Sequence, residues 1–337
     1  MTRRLQFAGR LVGDGAPCLI VAEAGQNHNA SPDIALSLVR EAARAGADAV
    51  KFQTIQPEEL YAPTHPRYAA CGSNQLSRAV YGNLFRTASE VGVLCFSTPF
   101  DERSADLLEE LGAPGFKVGS GELTHLALLR HLGRKGKPLF VSTGMADLEQ
   151  IDVAVKAILD TGNDKIVVMH CVSMYPTPAA KANIRAIPRL RERFGVLVGF
   201  SDHTLGHAPA LAAVALGACV VEKHFTLSRA LPGADHSMSV EPHELGALVS
   251  GIREVEAALG TGERTVLQEE QELAAFARRG LYARGPIRKG QQITREDVAV
   301  WRPGGEIAAH EIDRVIGRRA AVDIAAAEPL RWHAFSD

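Results

Sequence analysis

Two histidines carry the strongest chemical signal in this chain. His203 sits in GFSDHT and His224 in VEKHFT, and each closes a short apolar run. Neutral imidazole is a ligand for divalent transition ions, and Asp202, Glu222 and Glu23 place carboxylates at the ends of similar runs. A site with few protein ligands leaves positions for water and substrate, as Lewis-acid chemistry requires. The residue types alone leave a second reading open, in which each histidine is a hydrogen-bonded structural residue.

A second set of residues suits an anion. GFKVGSGE supplies Lys117, Ser120, Gly119 and Gly121; FSTPF supplies Ser97 and Thr98; VSTGM supplies Ser142 and Thr143; GFSDHT supplies Ser201. Hydroxyls, glycine N–H groups and a lysine converging at one rim can hold a phosphate or carboxylate. Each string alone is also what ordinary caps and loops contain. Lys51, Lys117 and Lys223 sit at run ends as well, and a desolvated lysine could form a Schiff base with a carbonyl substrate. Against this, the sixth run carries His170 where it ends, and Lys51 and Lys223 have acidic neighbours to pair with.

All these residues end one of eight apolar runs. In order they are CLIVAEAG (18–25), DAVKFQT (48–54), VLCFSTPF (93–100), GFKVGSGE (115–122), PLFVSTGM (138–145), KIVVMHCVS (165–173), VLVGFSDHT (196–204) and CVVEKHFT (219–226). Eight strands ending in functional residues predict a (β/α)8 TIM barrel, an α/β fold with its active site at the C-terminal strand ends. Segments of helical period follow the first, third, fifth and eighth runs: 31–46, opening on Ser31 and Pro32, then 101–113, 147–162 and 241–260. Gly46, Gly112 and Gly162 suit left-handed caps. The stretch 57–76, with prolines near Tyr61 and Tyr68, predicts an irregular excursion beside the barrel mouth.

The chain has 337 residues, more than the roughly 250 of a typical barrel. The expected division is a barrel over 1–262, a linker over 263–279 and a compact β-rich domain over 280–337. A net charge of -2 offers no electrostatic case for nucleic acid or an anionic membrane. No apolar run is long enough to span a bilayer, and the N-terminal MTRRLQFAGRLVGDG lacks a signal-peptide core, so a cytoplasmic location is expected. The five cysteines, Cys18, Cys71, Cys95, Cys171 and Cys219, include no CxxC, and most fall in strand runs as buried thiols.

AEAGQNHN, ADAVKFQT, FSTPFD, FKVGSGEL, VSTGMADL, HCVSMYPTP, GFSDHTLG, VEKHFTL and PGADHSMS resemble, in order, the motifs of the sialic acid synthase family, and the tail from about residue 280 resembles its antifreeze-like (SAF, β-clip) domain. The resemblance implies condensation of phosphoenolpyruvate with an N-acylated hexosamine-type aldose in a domain-swapped homodimer. It implies that His203 and His224 hold a divalent metal, Mn first, with Mg or Co as alternatives. Lys117, Ser120, Thr98, Ser142 and Ser201 would cradle phosphoenolpyruvate. Gln53, Tyr175 and Asp235 would meet the amino sugar, with Glu23, Glu122 and Glu222 as active-site carboxylates. Arg302, in WRPGG, would cover a partner's sugar site. Ser173 and Phe52 depart from some members, which carry Asn and His there; both positions are expected at the barrel mouth. A Schiff-base aldolase and a non-enzymatic carbohydrate or ice binder are the competing readings.

Overall fold

The computed structural model describes residues 3–336. An N-terminal hairpin, β1 (Arg4–Phe7) and β2 (Arg10–Gly13), precedes eight parallel strands. These are β3 (Leu19–Gly25), β4 (Ala49–Thr54), β5 (Leu94–Pro99), β6 (Phe116–Val118), β7 (Leu139–Ser142), β8 (Ile166–Cys171), β9 (Leu197–Asp202) and β10 (Val220–His224). They pair in chain order and β10 closes on β3, so each of the eight apolar runs contributes one stave of a closed barrel.

The intervening helices are α1 (Pro32–Arg44), α2 (Pro57–Leu60), α3 (Arg67–Ser73), α4 (Arg78–Val91), α5 (Glu102–Glu110), α6 (Leu126–Arg134), α7 (Leu148–Leu159), α8 (Ala186–Phe194), α9 (Ala208–Ala215) and α10 (Pro242–Leu259). Their ends follow the local sequence. Ser31 accepts a hydrogen bond from the Ile34 N–H with Pro32 in the first turn, and Asp101 and Asp147 cap α5 and α7 in the same way. Gly112 and Gly162, just past α5 and α7, both take φ of +86°. The excursion over 57–76 contains α2 and α3.

Strand alternation decides what faces the barrel axis. The outward rows, including Val50, Phe52, Val141, Val168, Val198 and Val221, pack against the helices in the main core. The inward rows change character along their length. At the N-terminal end Val21, Ala49, Phe96, Phe140, Met169 and Val220 fill the lumen with apolar volume. Phe7 of the hairpin plugs this floor, edge-on to Phe96 and Phe140 at centroid distances of 5.3 and 5.0 Å. Two residues further along each strand the same rows turn polar. Nothing in the N-terminal sequence announced the plug, because a four-residue strand has too few positions to show a period.

The first unit ends at Gly260 and a second begins at Thr261. The second contains α11 (Gln268–Ala277), the antiparallel pair β11 (Gly280–Ala283) and β12 (Val298–Trp301), α12 (Ile312–Val315), and the short pair β13 (Arg319–Ala320) and β14 (Phe335–Ser336). Its own core is built from Leu281, Ile287, Ile293, Val298, Val315 and Leu330. Cys18, Cys95, Cys171 and Cys219 are free thiols; the Cys71 side chain lies outside the described residues.

Candidate active site

The polar ends of the inward rows enclose a cavity of ≈ 300 Å³ at the C-terminal face of the barrel. Alternation supplies its lining in pairs two residues apart: Lys51 with Gln53, Cys171 with Ser173, Ser201 with His203, and Glu222 with His224. Glu23, Thr98, Lys117, Ser120, Ser142 and Tyr175 complete the wall together with Phe100, Met145 and two glycines.

Two buried lysines and two buried carboxylates form its floor. Lys51 Nζ lies 2.7 Å from Glu23 Oε2 and 3.8 Å from Glu222 Oε2, and donates to Thr98 Oγ1 at 2.9 Å. Lys117 Nζ is 3.2 Å from Glu222 Oε1, which also accepts from Ser201 Oγ at 3.1 Å. Gln53 Nε2 donates to Glu23 Oε1 at 3.0 Å. Burial alone would raise both carboxyl pKa values. At Glu222 the lysines Lys117 and Lys51 outweigh it and hold the group well below the usual range; at Glu23 burial prevails over Lys51 and the value is raised. One site thus holds an ionised carboxylate and a more basic one, the division of labour that acid–base chemistry uses.

Above this floor several buried polar atoms have no protein partner: Ser142 Oγ, Ser173 Oγ and His224 Nδ1. Orphaned buried hydroxyls are disfavoured unless something else satisfies them, so they mark where a polar ligand would sit. Ser120 Oγ accepts the Gly144 N–H at 3.0 Å. A Cβ at Gly144 would stand 2.2 Å from Ser173 Oγ and 2.8 Å from Ser120 Oγ. Gly144→Ala is therefore expected to push both serines out of place and to weaken the binding of any anion that Ser120 meets at least about tenfold, the equivalent of one lost hydrogen bond to a charged group. Isothermal titration of phosphoenolpyruvate checks this; unchanged affinity would show that the serines do not meet the anion.

The two histidines stand side by side, with ring centroids 5.3 Å apart. That spacing lets both reach one ion bound about 2.1 Å from each nitrogen. His203 Nδ1 donates to the Val172 carbonyl at 2.8 Å, which leaves Nε2 as the atom free to meet an ion. Burial lowers the His203 pKa, but Cys171, the Val172 carbonyl and Glu222 outweigh it and the value is raised, so a cation bound at Nε2 would displace a proton there. Burial first, and the neighbouring His203 second, drive the His224 pKa well below the ordinary value, so its imidazole is neutral. Tyr175 covers the pair, with centroids 4.2 Å from His203 and 5.9 Å from His224. Among the described residues no group of three or more His, Cys, Asp or Glu side chains is placed to hold a metal, so a cation here would rest on two histidines plus water or substrate.

Asp235 stands at the edge of the cavity, its Oδ2 3.8 Å from His224 Nδ1. A Cβ on Gly25 would lie 3.7 Å from that Oδ2 and 3.4 Å from both Glu23 Oε1 and Gln53 Nε2, so these polar groups converge on one bare backbone position. Three residues fall elsewhere. Glu122 lies on the turn after β6, half-buried and outside the cavity lining. Arg302 is exposed in the second unit. Phe52 is not at the mouth: strand alternation turns it outward into the helix layer, fully buried, with its ring 6.3 Å from that of His28. Ser173, by contrast, lines the cavity.

Cys171 lines the site although no motif singled it out, and Lys51, read from the sequence as a strand-end lysine with acidic neighbours to pair with, lines it too. The signal was available in the alternation, since Lys51 shares a face with Gln53 and Cys171 with Ser173. Of the three strand-end lysines, Lys51 and Lys117 are committed to carboxylates and Lys223 points away from the cavity.

The NeuB family model matches residues 38–264, more than half of the chain, and a SAF domain model matches residues 278–336. The chain is 38% identical to N,N'-diacetyllegionaminic acid synthase of Legionella pneumophila, over 95% of each protein. It is 34% identical to N-acetylneuraminate-9-phosphate synthase of Homo sapiens, over 94% of this chain and 92% of that one. A solved structure of N-acetylneuraminic acid synthetase from Leptospira borgpetersenii matches with a TM-score of 0.77 and 32% identity, covering 81% of this chain and 95% of its own. A polar barrel mouth with this residue order, and a C-terminal SAF domain, place the chain in the NeuB family.

Proposed function

We propose that this enzyme is a C–C bond-forming transferase that condenses phosphoenolpyruvate with an N-acylated hexosamine-type aldose, giving a nonulosonic acid and phosphate. N-acetylmannosamine and a 2,4-diacetamido-trideoxyhexose are the candidate sugars. The observation that carries this reading is that one cavity is lined both by Lys117 with the Thr98, Ser120, Ser142 and Ser201 hydroxyls, groups suited to an anion, and by the paired imidazoles of His203 and His224.

The residues divide the work. Lys117, with Ser120, Thr98, Ser142 and Ser201, binds the phosphate and carboxylate of phosphoenolpyruvate; the partnerless Ser142 hydroxyl finds its acceptor there. Gln53, Tyr175, Ser173 and Asp235 orient the sugar. His203 and His224 are suited to a divalent cation, with Mn the first candidate and Mg or Co as alternatives. Such an ion supplies Lewis-acid polarisation of a carbonyl oxygen. The enol carbon of phosphoenolpyruvate forms a bond to the aldehyde carbon of the open-chain sugar. Water then adds at the phosphate-bearing carbon, and phosphate leaves with C–O cleavage, generating the 2-keto acid. Glu23, whose pKa burial raises, accepts a proton from that water at its carboxylate; Glu222, held ionised by Lys117 and Lys51, stays a fixed charge. Holding two substrates in register supplies much of the rate.

The second unit favours a homodimer. Leu267, Leu273 and Phe276 in and beside α11 are exposed, as is Trp301, and such apolar surface suits a second copy of the chain. Arg302 from that copy would then complete the sugar site.

The test is to incubate the protein with phosphoenolpyruvate, Mn and a panel of N-acylated aldoses and to follow phosphate release. Release with at least one sugar is expected. No release with any of them overturns the reading, and borohydride trapping of pyruvate would replace it with a Schiff-base aldolase.

A further inference from the structure

We infer that Lys223 is the positioning residue of the histidine pair, stapling the strand ends that carry His203 and His224 from outside the barrel. This rests on the two-histidine cation site proposed above.

Lys223 stands between Glu222 and His224, whose side chains face the cavity, so its own side chain points outward into the wall. It is 2% exposed. Its Nζ donates to Asp202 Oδ2 at 2.7 Å and to the Thr204 carbonyl. Asp202 Oδ1 in turn accepts the Thr204 N–H at 2.8 Å. Both residues flanking His203 are therefore tied to one ammonium carried by the strand of His224.

The backbone cannot do this by itself. The β9–β10 ladder ends at the Asp202–Lys223 pair, one residue before each histidine. His203 is held on its far side, where Nδ1 donates to Val172 and its carbonyl accepts the Thr177 N–H at 2.8 Å. On the near side the Lys223 staple is what continues the register from β10 to the His203 backbone. A lysine suits the task because its ammonium has three donors and here serves a carboxylate and a carbonyl together. Its commitment also accounts for a strand-end lysine that the chemistry of the cavity leaves unused.

Removing Lys223 alone would leave Asp202 as a lone buried charge and could unfold the protein for that reason. The informative variant is Lys223→Met with Asp202→Asn, compared with Lys223→Arg, whose guanidinium can serve the same two acceptors. Circular dichroism and thermal melts establish folding. Electron paramagnetic resonance of free Mn then gives the Mn dissociation constant, and calorimetry gives phosphoenolpyruvate affinity in the metal-free protein. The double variant is expected to weaken Mn binding by about 10–100-fold, as loss of a group supporting metal ligands does, with phosphoenolpyruvate affinity unchanged. Lys223→Arg should restore Mn affinity. A folded double variant with wild-type Mn affinity overturns the proposal, as does an equal loss of phosphoenolpyruvate affinity, which would mark a general structural role. Should the double variant not fold, Lys223→Gln with Asp202→Asn, which also leaves no buried charge, is judged by the same two constants. A wild-type protein that binds phosphoenolpyruvate but no Mn would remove the cation site itself and this proposal with it, an outcome distinct from a variant that fails alone.

Discussion

His224→Ala is expected to abolish metal-dependent turnover while leaving the barrel folded. His224 Nδ1 makes no hydrogen bond within the protein, so its removal strands no partner. The apolar floor around Phe7, Phe96 and Phe140 lies at the opposite end of the lumen and is untouched. If the histidine pair holds the cation that polarises the sugar carbonyl, losing one ligand removes several kcal/mol of transition-state stabilisation, a fall in rate of about 10³-fold. His203→Ala should match it in rate, with only a small further loss of stability, because the Val172 carbonyl loses the His203 donor but keeps the Met174 N–H and the Thr177 hydroxyl. Steady-state phosphate release and thermal melts separate the two effects. Unchanged turnover in the folded His224→Ala protein refutes the metal assignment.

Lys51→Met should be the most destabilising single change in the site, by about 3–5 kcal/mol at neutral pH, the usual result of removing one partner from a buried ion pair. Lys51 is 2.7 Å from Glu23 and 3.8 Å from Glu222, and all three are buried. The pH dependence has a definite sign. In the native protein the Glu222 pKa is depressed, so its contribution is present above the unfolded value of 4.5 and is lost as pH falls through the lower folded value. Without Lys51 burial dominates more fully and both carboxyls move upward. A raised carboxyl pKa means stability that is present below the unfolded value and lost as pH rises through the folded one. The gap between variant and native protein should therefore narrow on acidification toward pH 4.5. Urea unfolding at several pH values measures it; a gap that stays constant with pH would show that Lys51 contributes packing and not charge.

The eight apolar runs were legible because parallel strands buried on both faces are apolar throughout and stop where the chain reaches the mouth. Their polar ends, read in order, already contained His203, His224, Lys117, Ser142 and Ser201. Lys51 was harder to read because a lysine beside acidic residues has an equally good structural explanation, and the structure shows it doing both, pairing with Glu23 while lining the cavity. Phe52 was misplaced for the opposite reason. The resemblance put it at the mouth with Lys51 and Gln53, but one step along a strand is a change of face.

Residue order alone carries the strand count, the helix caps and the types of group available for chemistry, since these depend on neighbours a few positions apart. Tertiary structure decides which of those groups meet. Barrel closure brings Glu23 of β3 against Glu222 and His224 of β10, some two hundred residues away, and only that closure leaves two lysines to serve two carboxylates. The hairpin plug and the Lys223 staple belong to the same class. Each links segments whose separation along the chain carries no periodic signal, so their roles emerge only once the barrel has closed.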